Sequence, residues 1–198
     1  MPMNQSQTEA YTNRLVQLQQ SLWKRSLDVQ APYRWNLKRL HMGRMLDIGC
    51  GIGRNLINLG GGVGIDPNVS AVEIACSRGL TAYTPEAFLT SLDYQQASYD
   101  SLLLSHVAEH IGVAETISLV ARYLNLLKPA GQVVMIAPQE AGYRSDATHV
   151  AFIDFARLRE INAALGLVES RVYSFPFPRI MGKLFRYNEF VFVSRRPA

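Results

Sequence analysis

The sequence of 198 residues predicts an α/β fold: a parallel sheet with helices on both faces. Three observations lead there. Short apolar runs alternate with helix-length segments along most of the chain, a glycine cluster closes the first strand-like run, and the composition excludes the other classes. Hydrophobic residues make up 48% and charged residues 18%, which suits a packed core and not a disordered chain. The longest apolar runs, 133–138 and 190–193, fall far short of the roughly 20 residues of a membrane span. Two cysteines, Cys50 and Cys76, exclude a disulfide framework and a zinc finger. The polar start MPMNQSQTEA shows no secretory signal, and with so little cysteine it predicts a cytoplasmic protein.

The elements follow in order. Residues 5–24 place Leu15, Leu18 and Leu22 at helical spacing, and residues 31–41 read as a second short helix with Pro32 early, where its missing N–H costs nothing. These form a helical cap, residues 1–42, ahead of a main domain, residues 43–198. The formal net charge of +4 is concentrated here. Residues 1–44 hold seven basic side chains against Glu9 and Asp28, and the remainder is nearly neutral. The basic segment reads as a solvated helical surface, or as a rim whose field draws in an anionic cofactor tail or acidic substrate. Seven scattered charges do not make a nucleic-acid surface.

From residue 44 the chain alternates. Residues 44–48 form a buried strand, 54–59 a helix turn, 62–65 a strand, and 68–78 a helix capped by Asn68 or Ser70. Residues 80–83 are a strand, 85–90 a short helix, 100–104 a strand, and 113–127 a helix that stops before Pro129. Residues 132–137 are a strand and 154–165 a helix ending at Gly166. Two last strands, about 168–174 and 187–194, lack an intervening helix and read as an antiparallel hairpin at the sheet edge.

The first strand runs into Asp47-Ile-Gly-Cys-Gly-Ile-Gly53 and then a helix. Open α/β sheets bind ligands at the carboxyl ends of their strands. Glycines at alternate positions let backbone approach a ligand closely. A dinucleotide loop, G-x-G-x-x-G, would need its third glycine at position 54, where Arg54 stands. The loop therefore fits a nucleoside with a zwitterionic tail better than a pyrophosphate. Asp66 ends the second strand, 17 residues after Gly49, where a carboxylate can accept from both hydroxyls of a ribose. Glu86, after the third strand, is placed to reach an adenine edge.

MLDIGCGIGRNL, GVGIDPN, YDSLLLSHVAEHI and LKPAGQVVMIAP, in this order and spacing, resemble the class I S-adenosylmethionine-dependent methyltransferases. The resemblance covers residues 44–137 best. It implies a Rossmann-like sheet of seven strands, mostly parallel, with an antiparallel last strand. It implies Asp47, Gly49, Gly51 and Gly53 around the methionine part of the cofactor, with Cys50 in the same loop and Ser105 at the end of the fourth strand. It implies Asp66 on the ribose and Glu86 beside the adenine. Either Arg34 or Arg54 holds the cofactor carboxylate.

Three of the four histidines fall where a substrate would lie. His106, Glu109 and His110 follow the fourth strand, and on a helix positions i, i+3 and i+4 share a face. His149, after the fifth strand, completes a four-member set. This resembles the metal site of small-RNA terminal 2′-O-methyltransferases, which carry a Glu-x-x-Glu-His run after strand four and a histidine after strand five. His106 stands in place of the first Glu. Magnesium prefers oxygen ligands, whereas imidazoles suit manganese and its neighbours. The set His106, Glu109, His110 and His149 therefore implies Mg²⁺ or Mn²⁺, with Glu109, His110 and His149 as catalytic candidates. A chelated hydroxyl would be acidified for attack on the sulfonium methyl, and His149 is also placed to act as a lone general base.

The tail, with Ser174-Phe-Pro-Phe-Pro-Arg179 and Phe185-Arg-Tyr-Asn-Glu189, reads as packing, a homodimer contact or an acceptor wall. It is similar to a group of bacterial methyltransferases associated with O-methylation of mannosides in polysaccharide synthesis. A sugar or small-molecule hydroxyl is the expected acceptor. A catechol or quinone hydroxyl, a terminal ribose of RNA, and a non-catalytic cofactor-binding partner protein are the alternatives.

Overall fold

The computed structural model describes residues 31–197, so the expected helix over residues 5–24 and most of the 1–42 cap lie outside it. The described residues form a seven-stranded sheet in the order β3-β2-β1-β4-β5-β7-β6. In chain order the elements are α1 (Ala31–Lys38), β1 (Met45–Ile48), α2 (Arg54–Leu59), β2 (Val63–Ile65), α3 (Val69–Ser77), β3 (Thr81–Tyr83) and α4 (Pro85–Leu89). Then come β4 (Tyr99–Ser105), α5 (Ala108–Ile111), α6 (Val113–Tyr123), β5 (Leu127–Pro138), α7 (Glu140–Arg144), α8 (Phe155–Ala164), β6 (Val168–Phe175) and β7 (Glu189–Arg195). Strands β1 to β5 pair in parallel, and β7 runs antiparallel between β5 and β6. The expected hairpin is present, with β6 as the edge.

Period-two alternation explains why the central strands are apolar throughout. Leu46, Ile48, Leu102, Leu104, Val133, Met135, Phe190 and Phe192 enter one core, with Phe88, Tyr123, Leu158 and Ile161 from the helices on that face. Their alternate neighbours Met45, Leu103, Val134, Ile136, Val191 and Val193 enter a second core, against Leu37 and Leu40 at the end of α1. Helix α1 is therefore part of the sheet's covering. That places Tyr33 over the carboxyl ends of β1 and β4.

Three boundaries differ from the sequence pattern. Helix α6 stops at Tyr123, a 3-10 turn (Leu124–Leu126) follows, and β5 starts at Leu127. Tyr99 of β4 pairs with Leu127, and the register shifts before Ser101. Ala130 takes the left-handed conformation (φ 59°) there, so the strand passes the Pro129 break as an irregularity instead of starting after it. Helix α7 was not visible in the pattern. Helix α3 is capped by Asn68, whose Oδ1 accepts from the Ala71 N–H at 3.1 Å.

Candidate functional site

Strand order reverses at β1, between β2 and β4, so the fold opens a crevice at the carboxyl ends of β1 and β4. The glycine loop lines it. Gly49 and Gly53 both sit at φ 82°. A Cβ at Gly49 would lie 2.4 Å from Val107 Cγ2, and one at Gly53 would lie 2.2 Å from Leu80 Cδ1. Both positions therefore need glycine for conformation and for space. Cys50 turns the other way, into a small core with Val72, Ala75 and Ala82, and burial pushes its thiol up. Only its backbone is left to serve a cofactor.

Asp47 is fully buried beneath the loop. Its Oδ1 accepts from Asn55 Nδ2 at 3.2 Å and its Oδ2 has no partner. Burial raises its pKa to about 7, against smaller opposing effects of Asn55 and Arg54. Asp66 accepts from the Gly51 N–H at 2.7 Å and the Asn68 N–H at 2.9 Å, tying the tip of β2 to the loop. Burial raises the Asp66 pKa, and those two backbone bonds oppose it. The Tyr33 hydroxyl donates to Asn55 Oδ1 at 2.9 Å and lies 2.7 Å from Ser105 Oγ. The Arg54 guanidinium stacks on the Tyr33 ring at 4.9 Å. Tyr33, α2 and the end of β4 thus close one side of the crevice over Asp47. Arg54 reaches this network, and Arg34 lies one residue beyond Tyr33 on α1. Glu86 lies exposed in the first turn of α4.

An unpaired buried carboxylate oxygen beside a left-handed glycine loop is a receptor for a cationic group.

The histidine–glutamate constellation divides in two. His106 precedes α5 with φ 59°, a conformation disfavoured for a side-chain-bearing residue. It is held there by both ring nitrogens: Nδ1 lies 3.2 Å from Glu109 Oε1 and Nε2 lies 2.8 Å from Glu189 Oε1. Burial alone would lower its pKa, but the two carboxylates outweigh burial and push it up to about 9. An imidazolium with both nitrogens donating has no lone pair for a metal. Glu189, from β7, competes with a metal for His106, and the members of the expected set that group together are Glu109, His110 and His149.

Glu109, His110 and His149 do converge. Their ligand atoms lie within 4.8 Å of one another. Glu109 is fully buried, and its Oε2 has no hydrogen-bond partner. Its backbone carbonyl accepts from the N–H groups of Val150 (2.8 Å) and Ala151 (3.1 Å), which hangs the 146–151 loop on α5. That brings the His149 ring edge-on to His110, with centroids 4.8 Å apart. His149 Nδ1 lies 2.7 Å from the Tyr143 carbonyl, and His110 Nδ1 lies 3.3 Å from the Thr148 carbonyl. A carbonyl only accepts, so His149 Nδ1 donates to Tyr143 and its Nε2 faces away, whereas His110 Nδ1 also lies 3.3 Å from the Thr148 hydroxyl. Burial lowers the His110 pKa, which keeps that ring neutral near pH 7. Tyr143 stacks on His149 at 5.5 Å and 18°. Two imidazoles and an unpaired buried carboxylate could hold a divalent cation, and imidazoles suit manganese better than magnesium.

Sequence reasoning missed Tyr33, Asn55 and Glu189 as parts of this site. Asn55 stood in the quoted loop motif, and Glu189 in the aromatic tail. A separate cavity of about 520 Å³, lined by Arg39, His41, Lys128, Arg171 and Arg195, lies at the opposite pole, at the amino end of the sheet. None of the side chains above reaches it.

Comparison with known proteins agrees with this geometry. A family model described as "Methyltransferase domain" matches residues 16–172. None of the curated proteins matches in sequence. A SAM-dependent methyltransferase from Archaeoglobus fulgidus superposes with a TM-score of 0.65 at 18% identity, over 88% of this chain and 98% of that one. A methyltransferase in a Haloferax volcanii complex with the Trm112 activator gives 0.64 at 17%, over 85% and 90%. Magnesium protoporphyrin IX methyltransferase from Synechocystis, solved with bound SAH, gives 0.59 at 16%, over 85% of each chain. The chain belongs to the methyltransferase domain family, and it shares the fold of solved S-adenosylmethionine-dependent methyltransferases.

Proposed function

We propose that the protein methylates a hydroxyl oxygen of a sugar or other small polyol, with a mannoside or polysaccharide precursor favoured, assisted by a divalent cation at Glu109, His110 and His149. The observation that carries this reading is the buried, unpartnered Glu109 Oε2 grouped with two histidines whose Nδ1 atoms are tied to carbonyls. S-adenosylmethionine supplies an electrophilic methyl, and a bound divalent ion lowers the pKa of a chelated hydroxyl.

The chain's own residues do the rest. Asp66 takes the ribose hydroxyls at the tip of β2, and the loop glycines admit the methionine part. Asp47 faces its ammonium group, Arg54 its carboxylate, and Ser105 and Tyr33 border the same end. His106 locks Glu109 to Glu189, so that Glu109 presents Oε2 and not Oε1 to the group. The Tyr143 ring beside His149 gives a flat face for a sugar or aromatic acceptor to stack on. The tautomer of His149 favours one second reading, in which its Nε2 takes the hydroxyl proton directly as a general base.

His110→Ala and His149→Ala each test this. Both are expected to lose at least a hundredfold in turnover, on the scale of removing a positioned catalytic group, while binding S-adenosylhomocysteine as the parent does. Titration with Mn²⁺, followed by its paramagnetic resonance signal, is expected to show one ion on the parent and none on either variant. Full activity in either variant overturns the site. Loss of turnover in His149→Ala alone, with no Mn²⁺ bound by the parent, selects the general-base reading.

A further inference from the structure

The loop between β6 and β7 is fixed from below and apolar above. Beneath it, Gln139 and Asn188 are fully buried and bonded to each other, with Asn188 Nδ2 donating to Gln139 Oε1 at 3.0 Å. Gln139 Nε2 also donates to Ser174 Oγ and the Glu189 carbonyl, and Asn188 clamps Phe177 through both its N–H and its carbonyl. Gly182 lies so close to Gln139 that a Cβ there would meet Oε1 at 1.8 Å. Arg179 makes a two-point ion pair with Glu140 and stacks on Phe190. Every anchor faces the protein.

The outward side is different. Ile180 is 72% exposed and Leu184 82% exposed, on and beside the 3-10 turn Arg179–Lys183, with Phe177 and Tyr187 exposed on either side. Lys183 and Arg186 are exposed between them, and Arg144 joins them from α7 through the Lys183 carbonyl. Residues 175–188 contain no acidic side chain. A rigid loop that holds large aliphatic side chains in water, ringed by cations, is an interaction surface.

We propose that this loop docks the enzyme on an anionic lipid surface, with Ile180 and Leu184 entering the headgroup boundary and Lys183, Arg186 and Arg144 meeting lipid phosphates. Charge decides the occupant. A second copy of the chain meeting this patch about a twofold axis would set one cationic patch against another. An anionic bilayer satisfies both features at once, apolar insertion and cationic attraction. Docking here turns the Tyr143 and His149 side of the molecule toward the membrane, because α7 carries both Tyr143 and the Glu140 anchor. The proposal stands independently of the acceptor's identity.

Co-sedimentation of the full chain with phosphatidylcholine vesicles, with and without phosphatidylglycerol, tests it. The parent is expected to partition onto the anionic vesicles and to be released by salt. The pairs Ile180→Ser with Leu184→Ser, and Lys183→Gln with Arg186→Gln, are each expected to reduce partitioning about tenfold or more. These side chains are exposed, so fold and S-adenosylhomocysteine binding are expected to be unchanged. No binding by the parent, or parent-like binding by both double variants, overturns the proposal. So does light scattering that shows a dimer which the apolar pair dissolves, in a parent that ignores the vesicles.

Discussion

At the scale of single residues, Asp47 shows most directly how the fold prepares its ligand. Its carboxyl has an ordinary value of 3.8 and is raised to about 7 by burial. Between about pH 4 and pH 7 the folded chain keeps a proton that the unfolded chain has lost, so this residue subtracts stability as pH rises through that window. A cationic ammonium beside Oδ2 reverses the preference and favours the carboxylate. Binding of S-adenosylhomocysteine near pH 6 is therefore expected to release up to one proton, read by calorimetry in buffers of different ionisation enthalpy. Asp47→Asn is expected to abolish the release; an unchanged release would show that Asp47 does not face the ligand. Asp47 and Asp66 stood out in the sequence because Asp47 lies just before the glycine loop and Asp66 follows a short apolar strand and precedes Pro67. Tyr33 and Glu189 did not, because their partners Ser105 and His106 lie 72 and 83 positions away. The partners of His106 were hidden for a related reason. Helical spacing placed it with Glu109 and His110, but a left-handed backbone and a distant carboxylate took both its nitrogens.

At the scale of elements, the alternation of strands and helices was readable because both faces of each central strand are buried. Helix α7 was not readable. Its five residues have no apolar period, and it exists because Gln139, just before it, is locked into the β6–β7 loop. Gly142 and Gly182 mark that contact: a Cβ at Gly142 would meet the Arg186 carbonyl at 2.6 Å. Gly182→Ala is therefore expected to destabilise the protein by about 1–3 kcal/mol through overpacking. For a chain of this size that lowers the melting temperature by several degrees, roughly 2–4 °C per kcal/mol. Calorimetric melting that leaves the temperature unchanged would show that the loop does not rest on Gln139. The tail's aromatics suggested a wall for the acceptor. The structure shows Phe177, Phe185 and Tyr187 packing edge to face along the loop, and Phe175 stacking on Trp35 of α1.

At the scale of the whole molecule, the candidate site gathers at one pole of the sheet. The glycine loop, Asp66, the Tyr33 network and the Glu109, His110 and His149 group all lie at the carboxyl ends of the strands. The tail loop rises from the same end, because β7 starts there. Among the described residues no helix is long and apolar enough to cross a membrane. The cofactor class was legible because the position of one glycine separates two loop types. The grouping of Glu109, His110 and His149 was not fixed by the sequence, because the segments after β4 and β5 that bring them together approach one another only in the fold. The most direct test of cation-assisted methylation is transfer from labelled S-adenosylmethionine to a panel of sugars, phenols and short RNA, run with EDTA and then with Mn²⁺ or Mg²⁺ restored. Transfer to a sugar hydroxyl that EDTA abolishes and Mn²⁺ restores is the expected result. Transfer that proceeds unchanged in EDTA would contradict the cation site and leave His149 acting alone.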